Sequence, residues 1–288
     1  MQLGHIQNTI KLLRFPFSLF LLPISLFSFF YIHPAINYRL FIILVTWHLL
    51  VFPSSNGYNS YNDQDEGPIG GLASPPKPTK FLLYVSNSMD ITAILLSFFA
   101  NSYFALFVFV YIVASRLYSK RTVRLKKYPI IGFLVVFIIQ GVWVFFANVL
   151  AYSSAGLLSD PSVVYAAIAC SCFIGTIYPL TQIYQHKADT EDGVKTLSIL
   201  LGIKGTFIFS ALMFSLATLF IFLSFYHNDT LINFWLFNLV MLPSTIYFLT
   251  WATRSFKNPV HINFKNTMRM LVLSSLLNNL YFIILLIK

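Results

Sequence analysis

Apolar residues run in long blocks near positions 12–32, 36–53, 81–100, 102–119, 129–152, 162–183, 207–226, 231–252 and 268–287. Each is close to the ~20 residues an α-helix needs to cross the hydrocarbon core of a bilayer. The pattern predicts an all-α, polytopic membrane protein with nine transmembrane helices in one bundle. The third and fourth blocks abut at Asn101, which predicts a tight helical hairpin. The stretch from Met1 to Arg14 and the apolar run after it lack the small-residue cleavage site of a secretory signal, so the first block reads as a retained span. Nine spans leave no room for a sizeable soluble unit, and residues 1–288 are expected to form a single membrane-embedded domain.

Composition agrees with the pattern. Hydrophobic residues make up 57% and charged residues 10% of the chain, against roughly 25% charged in a soluble domain. The formal charge of +10 follows the spans: with a cytoplasmic N-terminus in the cell (inner) membrane, 17 of the 19 Lys and Arg share the cytoplasmic side, and only Arg39 and Lys288 fall opposite. This is the positive-inside asymmetry, so the basic balance needs no nucleic-acid partner. Cys170 and Cys172 lie inside an apolar run and read as small hydrophobes. His5, His33, His48, His227 and His261 show no ligand spacing and suit interfacial positions.

The acids are distributed very differently. Six of the nine fall in two short segments expected on the cytoplasmic side: Asp63, Asp65 and Glu66 after the second block, and Asp189, Glu191 and Asp192 after the sixth. Carboxylates at a membrane edge are costly unless paired or bound to a cation. Asn59, Asp63 and Glu66 are spaced +4 and +3, as are Gln185, Asp189 and Asp192. On a helix such positions lie within about 60° of one another. Each segment would thus turn an amide and two carboxylates towards one central cavity open to the cytoplasm. Oxygen-only ligands suit Mg²⁺, which commonly bridges carboxylates to substrate phosphates, and a diphosphate is the matching substrate group. Lys77 and Lys80, in the Gly- and Pro-rich stretch after the first cluster, and Arg124, Lys126 and Lys127 between spans four and five are the candidate phosphate contacts. His186 adjoins the second cluster but points away from Gln185 on an ideal helix; Asp90 is read as a helix cap or a cavity residue.

Together these features resemble the UbiA-type superfamily of intramembrane prenyltransferases, including 4-hydroxybenzoate polyprenyltransferase. Its members resemble this chain in having nine helices and two Asp-rich motifs after the second and sixth, NxxxDxxxD and DxxxDxxxG. Here the motifs read Asn59-Ser60-Tyr61-Asn62-Asp63-Gln64-Asp65-Glu66-Gly67 and Gln185-His186-Lys187-Ala188-Asp189-Thr190-Glu191-Asp192-Gly193. Arg14-Phe15-Pro16, Tyr118-Ser119 and Arg124-Leu125-Lys126 are further matches. Gly67 stands where the first motif ends in an acid, and Gln185 where the second begins with one. Glu66 and Asp192 are placed to replace the missing carboxylates, with Asp65 the alternative if the first motif is not helical there. The resemblance implies Asp63 and Asp189 as central acids, with Asn59, Asp65, Glu66, Gln185 and Asp192 completing the Mg²⁺ set and Arg14 and Tyr118 joining the diphosphate contacts. It implies transfer of an isoprenyl group from an allylic prenyl diphosphate to a lipophilic acceptor, aromatic, quinone-precursor or glycerolipid, among membrane lipids. Competing expectations are a family member that has lost catalysis or uses a non-prenyl diphosphate, and an ion-coupled transporter.

Overall fold

The apolar blocks become helices whose ends are marked by capping side chains, prolines and left-handed residues. The computed structural model describes residues 2–152 and 155–288; Met1, at the head of the N-terminal stretch, lies outside them. All regular structure among the described residues is helical, apart from one isolated bridge between Ile69 and Leu72. In chain order the helices are α1 (Gln2–Leu13), α2 (Leu22–Ile32), α3 (Tyr38–Asp63), α4 (Lys80–Ser97), α5 (Ser102–Ser119), α6 (Pro129–Tyr152), α7 (Pro161–Gln182), α8 (His186–Glu191), α9 (Leu197–His227), α10 (Leu231–Lys257) and α11 (Phe264–Ile287). Seven of these, α3, α5, α6, α7, α9, α10 and α11, are long and apolar enough to cross a bilayer. The first block adds an eighth when its two halves, bent by 44°, are taken as one span. Helix α4 matches the third block, but Ser86, Asn87, Ser88, Asp90 and Thr92 dilute its apolar character, and it is not among them.

Local chemistry explains the breaks. Arg14 is left-handed (φ 50°) and Pro16 opens the short 3₁₀ turn Phe15–Phe20, so α1 cannot run straight into α2. Helix α3 stops at Asp63 because Gln64 is left-handed (φ 58°), its N–H bonding back to Ser60 O. Arg121 completes that end by donating to the carbonyls of Asn62 (2.6 Å) and Asp63 (3.2 Å). At the predicted hairpin, the Asn101 side chain caps α5 through Phe104 N–H and donates to Leu150 O, tying the turn to α6. Within α9, Gly202 (φ 66°, ψ 179°) breaks the helix one turn after its start.

Neighbouring helices pack in turn, and α11 returns to pack on α2, closing the bundle. One half is filled by rings: Phe27, Trp47, Phe104, Phe145, Phe225 and Phe237 are fully buried. Asn148 sits among them, accepting from Trp47 Nε1 (2.9 Å) and donating to Ser28 (3.1 Å), so α2, α3 and α6 share one satisfied amide. His48 belongs to this half. It is buried, bonded to Ser18 O at 3.1 Å, and so does not take the interfacial position expected from its sequence context. The other half encloses a cavity at the end where the acids lie.

Candidate functional site

Helix α3 carries Asn56, Asn59 and Asp63 at +3 and +4, a single stripe that faces the cavity. Opposite it, Tyr178, Gln182, Gln185, Asp189 and Asp192 continue a stripe at +4, +3, +4, +3 from the end of α7 through α8. The cavity between them has a volume of about 350 Å³ and is walled further in by apolar residues including Phe52, Val136, Phe173, Phe214 and Phe282. Polar groups thus gather at one end of an apolar chamber.

Nine of the expected site residues line this one cavity, Arg14, Asn59, Asp63, Asp65, Tyr118, Lys126, Gln185, Asp189 and Asp192, as does Ser119 of the Tyr118-Ser119 match. Arg124 stands at its edge, its guanidinium bonded to Asp63 Oδ1 (3.3 Å) and to the Asp192 carboxylate, so one cation bridges the two acid segments. Lys126 pairs with the other oxygen of Asp63. Arg14 is buried and donates to Gly70 O (3.1 Å) and Asn56 O (3.2 Å), joining the first span to the loop after the first motif. Asn59 accepts from Ser119 at 2.8 Å.

Other expected positions differ. Glu66 is turned to solvent, its side chain 85% exposed and 3.9 Å from the equally exposed Lys77, because α3 ends three residues earlier and the helical spacing no longer applies. Asp65 takes the inward position instead. Lys80 begins α4 and is exposed, and Lys127 lies over the Tyr128 ring, so the Gly- and Pro-rich stretch does not bring its lysines to the cavity. Asp90 neither caps a helix nor lines the cavity; it is buried against Arg116 and accepts from Ser54. Of the departures from the motifs, Gly67 lies in the loop with open space around it, and Gln185 donates to Pro68 O at 3.0 Å, linking the second segment to that same loop. His186 turns aside to Ser198 (2.7 Å).

The acids outside the spans are unevenly neutralised. Burial pushes the Asp189 carboxyl up to about 7, with Lys126 opposing and the charges of Asp65 and Asp63 adding. Burial likewise raises Asp65 to about 6, reinforced by Asp63. Asp192, despite partial burial, is held below the ordinary carboxylate range by Arg124. Burial therefore makes these two inward carboxylates costly to hold in the charged form, and Lys126 and Arg14 offset that cost only in part. Among the described residues no three acids, histidines or cysteines lie close enough to hold one metal ion by themselves.

Tyr178 and Gln182 are cavity residues that sequence reading left aside. Tyr178 bonds to Tyr118 hydroxyl to hydroxyl at 2.8 Å, where the polar end meets the apolar chamber. Extending the +4, +3 rule backwards from Gln185 reaches both Gln182 and Tyr178.

The comparisons agree with this architecture. A digeranylgeranylglyceryl phosphate synthase structure is similar over 99% of this chain and 98% of its own, with 17% identity and a TM-score of 0.62. A UbiA homologue from Archaeoglobus fulgidus bound to DMAPP and Mg²⁺ is similar over 97% of this chain and 99% of its own, with 15% identity and a TM-score of 0.68. The homologue bound to GPP and Mg²⁺ matches over 98% and 100%, with 16% identity and a TM-score of 0.64. At these identities the likeness is one of fold. No curated protein matches the chain significantly. The UbiA prenyltransferase family is matched across residues 20–273, most of the length and both acid segments, and the chain belongs to that family.

Proposed function

We propose that this protein transfers an isoprenyl group from an allylic prenyl diphosphate to a lipophilic acceptor inside the membrane, with Mg²⁺ held between the two acid segments. The observation that carries this reading is the convergence of Asp63, Asp65, Asp189 and Asp192 on one end of a single apolar cavity. The donor set fits Mg²⁺: it is all oxygen, it comes from two segments, and burial makes two of its carboxylates costly to hold charged without a cation. Mg²⁺ takes one or two carboxylates with waters and substrate phosphates, so a cluster of three protein acids is not required. Asp63 and Asp189 are the central ligands, supported by Asn59, Asp65, Gln185 and Asp192. Bound there, Mg²⁺ supplies charge neutralisation for a departing diphosphate.

The protein's own groups complete the chemistry. Lys126 and Arg124, now paired with the acids, stand where they reach diphosphate oxygens, and Arg14 and Tyr118 border the same space. The apolar chamber takes the isoprenoid tail and keeps water from the reacting carbon. Its ring faces attract cationic character as the C–O bond lengthens. The acceptor, an aromatic ring, quinone precursor or glycerolipid alcohol, enters the same chamber.

The proposed setting is a single domain over residues 1–288 in the cell membrane. It has nine spans, with the N-terminus and the acid end of the cavity cytoplasmic. Helix α4 is the ninth span: its 18 residues extend about 27 Å, and Asp90 and Ser86 are buried in the bundle rather than set against lipid.

The test uses purified full-length protein in nanodiscs with geranylgeranyl diphosphate and candidate acceptors, following diphosphate release and prenylated product. Release that requires Mg²⁺ and is lost in Asp63→Ala and Asp189→Ala is the expected result. Release that survives both substitutions overturns the reading, and stoichiometric binding of the donor without release identifies a member that has lost catalysis.

A further inference from the structure

A second concavity lies on the outside of the bundle, between α10 and α11. It has a volume of about 630 Å³ and is lined by Tyr247, Phe264, Met268, Val272, Leu273 and Leu276, with Lys265 and Arg269 as its charged residues. From Phe264 to Leu276 it follows α11 for about 18 Å, slightly more than one leaflet's half of a ~30 Å hydrocarbon core. Lys265 and Arg269 are one helical turn apart, both exposed, and neither has a carboxylate within 4.0 Å among the described residues. Beyond Asp192 the chain has a single acid, Asp229, at the opposite end of α9 from the acid segments. The groove wall is almost wholly apolar, so Lys265 and Arg269 line it with their aliphatic stems, and their exposed charged ends make its rim a surface of one sign.

We infer that this groove binds one anionic phospholipid, its phosphate on Lys265 and Arg269 and an acyl chain along Val272, Leu273 and Leu276. Charge complementarity selects this occupant. A two-fold contact between copies of this chain through the groove would bring like cations together, which disfavours it, and a zwitterionic lipid gains less from the paired cations. The site also reaches the substrate cavity. Met268, in the groove wall, accepts a hydrogen bond from Gly71 N–H (3.3 Å), and the adjacent Gly70 lines the cavity and holds Arg14 through its carbonyl. An occupied groove steadies α11 at Met268 and, through it, the loop that seats Arg14.

Lipid retention can be read without turnover, so this inference and the enzymatic reading fail separately. Native mass spectrometry of the full chain, delipidated and exchanged with equimolar phosphatidylglycerol and phosphatidylcholine, is expected to show one preferentially retained phosphatidylglycerol. Each cation near a membrane surface contributes about fivefold to attraction of an anionic lipid. Lys265→Gln/Arg269→Gln should therefore reduce that adduct roughly thirtyfold. Val272→Trp/Leu276→Trp, which fills the groove and keeps the charge, should also reduce it, while Lys204→Gln, an exposed cation on α9, should leave it unchanged. Retention that ignores groove filling, or that falls equally with Lys204→Gln, overturns the site in favour of a diffuse basic surface. Equal retention of the two lipids by the wild type overturns it outright.

Discussion

Gln64 adopts a φ of 58°, and beyond it Asp65 faces the cavity while Glu66 stands in water beside Lys77. Exposed ion pairs contribute little, so Glu66→Gln is expected to leave Mg²⁺-dependent turnover within about twofold of wild type. Asp65→Asn, which removes a carboxylate beside Asp63, is expected to lower it by about 10–100-fold. Steady-state diphosphate release across a Mg²⁺ titration distinguishes them; equal effects of the two substitutions would contradict the geometry. Spacing alone leads to Asn59, Asp63, Gln185, Asp189 and Asp192, because helical periodicity survives through α3 and α8. It also draws Glu66 onto the same face, since no glycine or proline announces that α3 ends at Asp63. Arg14 and Tyr118 were legible only through the family's motifs: their placement at the cavity goes with a left-handed turn and a contact with Tyr178, neither of which leaves a local pattern.

At the scale of helices, α3, α4 and α5 are locked just below the first motif. The Arg116 guanidinium pairs with Asp90 and stacks over Tyr58 at 3.9 Å, while Ser54 donates to Asp90. Gly57 of α3 passes so near Ser86 of α4 that a Cβ would stand 2.6 Å from its hydroxyl. Removing one member of a buried ion pair strands the other charge at a cost of about 3–5 kcal/mol, whereas replacing both with apolar residues is far milder. Asp90→Leu is therefore expected to destabilise the protein by about that amount, and Asp90→Leu/Arg116→Leu by clearly less; denaturant unfolding in detergent measures both. Gly202 poses a separate test. Its backbone angles belong to a region essentially reserved for glycine, and nothing lies within 4 Å of a Cβ there, so Gly202→Ala is opposed by the backbone alone. The expected loss is about 1–3 kcal/mol, read from the same unfolding curves. The π-helical segments Val45–Val51 and Ile138–Trp143 were invisible in the sequence because an extra residue per turn changes a helix's register without changing its apolar content.

For the whole molecule, the distribution of charge makes the strongest statement about function. Both acid segments, the cavity mouth and the cations paired with those acids lie at one end of the bundle, and 17 of the 19 Lys and Arg fall on the side proposed to be cytoplasmic. If that end is cytoplasmic, the donor diphosphate is drawn from the cytoplasm while its tail stays in the bilayer, and the positive-inside asymmetry and the substrate's charge favour the same orientation. Cysteine labelling tests this directly. The native Cys170 and Cys172 are buried, which keeps the background low. Ile36 and Asp229 lie in turns at the end remote from the acids, whereas Ser74 follows the first acid segment and Thr190 lies within the second, and all four are exposed. In spheroplasts, a membrane-impermeant maleimide is expected to label Ile36→Cys and Asp229→Cys, and to reach Ser74→Cys and Thr190→Cys only after permeabilisation. The inverse pattern would reverse the orientation and place the diphosphate site outside the cell. Labelling of Ser74→Cys and Thr190→Cys from opposite sides would mean an odd number of crossings between the two acid segments, in which case they would not share one cavity and the metal-bridged diphosphate would lose its site.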